Sequence, residues 1–143
     1  MSTTATYDDV NLICRLYELR REARLRAARE WFLSKFKPGS VEEIGVLAPG
    51  GSEENAYFRM VVTYWEMVAS FVTAGVLNRE LFFQSGQELL VVYTRLKMLL
   101  PELRRKNTNP SMLRNLELAG EEYIKWYDRT DPEAYRAFAA RVS

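Results

Sequence analysis

The stretch SEENAYFRMVVTYWEMVASFVTAG, residues 52–75, decides the fold. Ser52 stands where a hydroxyl caps free helix amides, and Glu53 and Glu54 follow against the positive end of the helix dipole. Gly75 stands where a left-handed residue closes the last turn. Set at 100° intervals, Tyr57, Met60, Val61, Tyr64, Trp65, Val68, Phe71 and Val72 surround more than half of the helix. A helix this apolar is buried on most sides, so the pattern predicts the central helix of the domain. Residues 60–77 are also the best membrane candidate. Glu66 near their middle, diluted further by Thr63, Ser70, Thr73 and Gly75, argues for a buried helix instead. No membrane association is expected.

Working outward, Pro49-Gly50-Gly51 breaks the chain ahead of this helix, and Ser40-Val41-Glu42-Glu43 is a capping-box pattern opening a short turn through Ile44 and Leu47. Helix one is expected over residues 8–37, with Asp8 and Asp9 in its first turn and Pro38-Gly39 stopping it. Its core stripe reads Leu12, Leu16, Leu19, Ala23 and Ala27, widened by Ile13, Tyr17 and Trp31. Downstream, Asn78 caps a third helix carrying Leu81, Phe82, Leu89, Val92, Leu96 and Leu100, and Pro101 predicts a kink or early end near Lys97. Asn109-Pro110 opens a fourth helix. Its core arc is Met112, Leu116, Ala119, Tyr123, Trp126 and Tyr127, with Arg114, Glu117, Glu121 and Asp128 opposite. Asp131-Pro132 repeats the signal for a last helix holding Tyr135, Phe138 and Ala139. No segment alternates with period two. The expectation is all-α: one domain over residues 1–143, with residues 1–7 a disordered tail. Its architecture is expected to be an antiparallel helical bundle of about five main helices plus one short turn.

Composition removes whole classes of chemistry. The 143 residues include no His and one Cys, so Ser-His and Cys-His nucleophiles, His-ligated metals and intramolecular disulfides are excluded. Twenty basic and 19 acidic residues leave a net charge of +1, which gives no global attraction to nucleic acid. The start of the chain shows no apolar export signal, and the single thiol fits a reducing compartment, so the cytoplasm is expected.

One order of motifs is familiar. Tyr64-Trp65-Glu66 is followed by Gly75-Val76-Leu77-Asn78-Arg79-Glu80-Leu81, then Leu103-Arg104-Arg105, Asn109-Pro110 and Asn115-Leu116-Glu117-Leu118. Over residues 20–126 this resembles a bacterial all-helical family catalogued only as a domain of unknown function. The shared order is an apolar helix, a Gly-apolar-Leu turn, a long helix ending in basic residues, and a helix with an aromatic or Leu-Glu-Leu centre. Members often carry Trp in the second half of the long helix, where this chain has Tyr93. The resemblance implies a helical fold and a bacterial source, and it carries no activity.

Candidate sites are few. The loop Ala48-Pro49-Gly50-Gly51-Ser52 precedes a helix N-terminus, but Glu53 and Glu54 would repel a phosphate there. Carboxylate metal binding would need convergence of acids that instead occupy caps and outer faces, as in Glu42-Glu43 and Glu121-Glu122. Residues 8–37 hold eight basic and five acidic residues, yet pairs such as Glu18 with Arg21 and Glu22 with Arg26 read as a solvated face. The corner at Gly75 suits a helix-turn-helix poorly, because Phe71 replaces the usual small residue and the next helix begins Arg79-Glu80-Leu81-Phe82-Phe83. On the central helix Arg59, Thr63, Glu66, Ser70 and Thr73 form a narrow polar seam. Glu66 has three readings there: solvent-facing, buried in an ion pair with Arg20 or Arg24, or lining a cavity among aromatics such as Trp65, Tyr93, Tyr64 and Trp126.

Surplus apolar residues supply the last sign. Cys14, Leu25, Phe32 and Phe36 form a second stripe on helix one, and Phe83, Leu90, Val91 and Met98 lie off the face of helix three. A 30-residue helix spans about 45 Å, whereas a compact chain of this length is roughly 37 Å across. Self-association through Leu25, Phe32, Phe36, Phe83, Leu90 and Met98 is therefore expected. Cys14 reads as a small apolar residue rather than a reactive thiol. The chain is read as a non-catalytic helical interaction or scaffold module acting as a homodimer, with an unknown protein partner and no cofactor or nucleic acid. The alternative is a small-molecule-binding protein, or an uncommon His-independent enzyme, with an aromatic-lined cavity.

Overall fold

The computed structural model describes residues 4–143, and every regular element among them is helical. In chain order these are α1 (Tyr7–Arg20), α2 (Ala23–Lys35), α3 (Val41–Leu47), α4 (Glu53–Thr73), α5 (Arg79–Phe83), α6 (Gln87–Leu96), α7 (Leu100–Lys106), α8 (Arg114–Tyr127) and α9 (Ala134–Val142). α4 is the centre: it packs along α2 and α8, with α6 behind it, and α6 in turn packs on α8 and α9. Val61, Val62, Tyr64, Trp65, Val68, Ala69 and Val72 of α4 are buried, as its wide apolar arc requires. No helix of the described residues is long and apolar enough to cross a membrane.

Caps written in local sequence form as expected. Ser52 accepts from the Asn55 amide, Ser40 from Glu43 and Asn78 from Leu81, and Gly75 takes the left-handed conformation at φ +78°. α6 ends at Leu96, and Pro101 lies in the first turn of α7. The expected disordered tail over residues 1–7 does not reach Thr6 and Tyr7. Thr6 caps α1 and Tyr7 opens it, while residues 1–3 lie outside the described residues.

The expectation of about five helices plus one short turn is corrected to nine helices among the described residues, because helix one breaks once and helix three twice, at Gly86 and after Leu96. Helix one divides at Arg21 and Glu22. Glu22 turns extended (φ −56°, ψ 140°), and its carboxylate accepts from the Arg24 and Leu25 amides at 2.9 and 3.1 Å. Two helices of 14 and 13 residues replace the single long one, so the overhang that pointed to a second chain disappears. Helix three divides at Gly86, where a Cβ would stand 2.4 Å from the Phe82 ring. α8 begins at Arg114 rather than Pro110, because Asn109 forms a local turn to Ser111 and Leu113 sits at φ +54°.

The first break re-aims the apolar stripes. α1 buries Leu16, but α2 buries Ala28 and Phe32 in place of the expected Ala23 and Ala27. Phe32 and Phe36 stack at 4.8 Å, and Trp31 and Phe58 close on Phe36. On the other side Phe83 stacks on Tyr123 at 4.4 Å. The residues expected to self-associate are therefore mostly core. Phe32, Phe36, Phe83 and Leu90 are buried, Leu25 is half-buried against the core, and Met98 alone of the six lies open, at 83% exposure.

Candidate functional site

An apolar opening lies between α1, α4 and the α5–α6 turn, with a volume of about 370 Å³. Ile13, Leu16, Tyr17 and Arg20 line it from α1, Tyr64, Trp65 and Val68 from α4, and Phe82, Ser85 and Gly86 from the turn. Three ties hold α1 over it. Asp9 is buried and its carboxylate accepts from the Thr6 and Asn78 amides at 2.7 and 2.8 Å, joining the start of α1 to the start of α5. The Tyr64 hydroxyl donates to the Leu16 carbonyl at 2.5 Å, and burial pushes that hydroxyl up to about 12. At the far end Arg29 donates to the Arg20 carbonyl at 3.1 Å, satisfying an acceptor that the helix break leaves free.

Behind the cavity runs a polar network. Arg29 grips Glu88 with its Nε and Nη2, and Glu88 also accepts from the indole of Trp65 at 2.9 Å. The hydrogen bond to Glu88 raises the Arg29 pKa above its ordinary value despite burial. This fixes the Trp65 ring, which stands edge-on to Tyr64 with centroids 5.0 Å apart. The Arg20 guanidinium lies over the rings of Tyr17 and Trp65, 5.1 and 5.5 Å from their centroids. Its Nε is buried and without a hydrogen-bond partner.

Of the residues singled out from sequence, Arg20, Tyr64 and Trp65 meet at this cavity, while Glu66, Arg24, Tyr93 and Trp126 lie elsewhere. Glu66 makes no ion pair with Arg20 or Arg24. Its carboxylate accepts from the Leu116 amide and the Asn115 side chain, both at 2.8 Å, and from the Asn115 amide at 3.3 Å, so it caps α8 from a neighbouring helix. Arg24 lies over Tyr57 and 3.9 Å from Glu53 on the surface. Tyr93 is core, and its hydroxyl donates to Glu121, which also pairs with Lys97 at 2.8 Å. Burial and that acceptor push the Tyr93 hydroxyl upward. The Glu121 carboxyl is pushed up by burial, but its bonds to Lys97 and Tyr93 outweigh this and hold it below the ordinary value. Sequence reasoning missed Leu16, Tyr17, Phe82 and Gly86 as cavity walls. Gly86 carried the one available signal, a glycine inside a helical pattern.

Elsewhere the loop before α4 is a local cap: Ser52 donates to the Pro49 carbonyl at 2.6 Å and Asn55 to Ala48 at 3.1 Å. Among the described residues no three acids or thiols converge as a metal site.

A family model described as Domain of unknown function (DUF4760) matches residues 5–126. The chain belongs to that family. No curated protein and no solved structure matches. The DUF4760 match contains every residue lining the cavity and leaves α9 outside, so the cavity lies wholly within the family's domain.

Proposed function

We propose that this DUF4760 chain is a non-catalytic binding module that takes up a small apolar molecule between α1, α4 and the α5–α6 turn. The observation that carries this is the cavity itself, of a volume suited to a small ligand, walled mainly by aliphatic and aromatic side chains with one cation at its edge. Two of its polar groups, the Tyr64 hydroxyl and the Trp65 indole, are already committed to protein acceptors, which fits a rigid receptacle. The test is titration with the neutral fluorophore N-phenyl-1-naphthylamine. Saturable binding of one probe per chain, abolished by Ile13→Trp in a variant with an unchanged helical spectrum, supports the reading. Absence of saturable binding, or binding indifferent to Ile13→Trp, defeats it.

A second reading, the homodimeric scaffold, now rests on α1 alone. Tyr7, Val10, Cys14 and Tyr17 are exposed at three-four-three spacing, the last two also edging the cavity. Native mass spectrometry separates the two: a ligand-free dimer favours the scaffold, and a monomer with a retained adduct favours the binding module. A cytoplasmic location and a bacterial source belong to the same proposal. They rest on the lone thiol and on the family resemblance.

A further inference from the structure

We infer that the molecule held in this cavity is a medium-chain monocarboxylate, its hydrocarbon against Leu16, Val68 and Phe82 and its carboxylate on the Arg20 guanidinium. This rests on the binding-module reading above and specifies its ligand. Arg20 stands apart from the other half-buried arginines of the described residues. Arg29 is held by Glu88, Arg79 pairs with Glu122, Arg104 pairs with Glu117, and Arg95 donates to the carbonyls of Phe32, Leu33, Phe36 and Val142. Arg20 has no such acceptor. Among the described residues its side chain makes no hydrogen bond or ion pair, and the ring faces of Tyr17 and Trp65 hold it in place. A cation stacked on two aromatic rings at the mouth of an apolar cavity is already oriented for a planar carboxylate, which it can grip with two parallel N–H bonds.

The surrounding charges set the valence of the head group. Glu18 lines the same opening, and Glu88 behind Trp65 is already held by Arg29, so a doubly charged phosphate would meet the Glu18 carboxylate while gaining one cation, Arg20. A neutral head would leave Arg20 as it is. A single negative charge pairs with Arg20 and meets less repulsion from Glu18 than a dianion does.

The experiment is calorimetric titration at pH 7.5 and low salt with decanoate, decanol and decyl phosphate, each below its micelle concentration. Decanoate binds one per chain, about tenfold or more tighter than decanol, as one charge-assisted contact implies. Arg20→Met keeps a long side chain over the Trp65 ring, lowers decanoate affinity by at least about tenfold and leaves decanol unchanged. Should that variant not fold, the wild-type ratio of decanoate to decanol remains decisive. Equal affinity for the two, or an Arg20→Met variant that holds decanoate normally, overturns the carboxylate assignment while the binding module stands. Decyl phosphate binding tighter than decanoate overturns it in favour of a dianion. If none of the three binds and N-phenyl-1-naphthylamine also fails, the module reading falls with it.

Discussion

Glu66 caps α8 across a gap of about fifty residues, and replacing it measures how much of the fold that bond holds. The two short bonds, to the Leu116 amide and the Asn115 side chain at 2.8 Å, involve a charged acceptor on a half-buried group. Each should contribute about 1 kcal/mol net, below the value for a fully buried charged pair. A carboxylate at a helix N-terminus adds roughly 0.3–1 kcal/mol through the dipole. Glu66→Ala should therefore cost about 2–3 kcal/mol, lowering the thermal midpoint by on the order of 10 °C for a domain of this size. Glu66→Gln keeps one acceptor and loses the charge, and should cost about 1 kcal/mol. Urea unfolding followed by far-ultraviolet circular dichroism gives both values. Combining Glu66→Ala with Asn115→Ala should cost less than the sum of the two single changes, because one bond is removed twice. A Glu66→Ala loss below about 0.5 kcal/mol, the level of an ordinary surface change, would mean that Glu66 faces solvent and that α8 is capped by water.

Other expectations are narrower. A Cβ at Gly120 would stand 2.2 Å from the buried Tyr93 ring. Gly120→Ala should thus lose about 2 kcal/mol, overpacking outweighing the roughly 1 kcal/mol that alanine contributes to a helix, and a gain in stability would refute the close crossing of α6 and α8. Phe32→Ala should cost about 3–5 kcal/mol in denaturant with no change in chain count by native mass spectrometry; a small cost with a changed count would restore Phe32 to an interface. The Asp9 carboxyl is held below its ordinary 3.8, first by the Thr6 amide and then by that of Asn78. Its contribution is present above about pH 4 and is lost as pH falls through the depressed folded value. Melting curves of wild type and Asp9→Asn should therefore be separated at pH 7 and converge toward pH 2, and a gap that stays constant with pH would exclude the linkage.

What could be read from the chain follows the range of the interactions involved. Ser40, Ser52, Asn78 and Gly75 act on amides or carbonyls a few positions away, so their local sequence suffices to place a helix end. The break at Arg21 and Glu22 has no glycine or proline, and the acceptor it frees is satisfied by Arg29, which Glu88 holds from far along the chain. The start of α8 is fixed by Glu66 in the same way. Such ends are tertiary, and periodicity runs straight through them. The consequence at the site was large. An unbroken helix one puts Phe32 and Phe36 on an outer stripe, whereas the break turns them into the core. Trp65 is legible as part of the wide apolar arc of the central helix, and Arg20 as a candidate partner of Glu66. Their grouping with Glu66 and Tyr93 assumed helix rotations that only packing against α8 determines.

α1 is fastened mainly at three points, through Asp9, Leu16 and the Arg20 carbonyl, while its outer face stays in water. A helix held this way is expected to detach as a unit at a free energy well below that of global unfolding. Its amides should therefore exchange with solvent deuterium together and ahead of those in α4. The same detachment uncovers Trp65 and Val68 without disturbing the contacts of α4 with α2 or α8. A molecule bound between α1 and α4 would therefore slow exchange across this fourteen-residue segment by the factor its affinity sets, while leaving the cooperative unfolding barrier of the rest of the domain almost untouched.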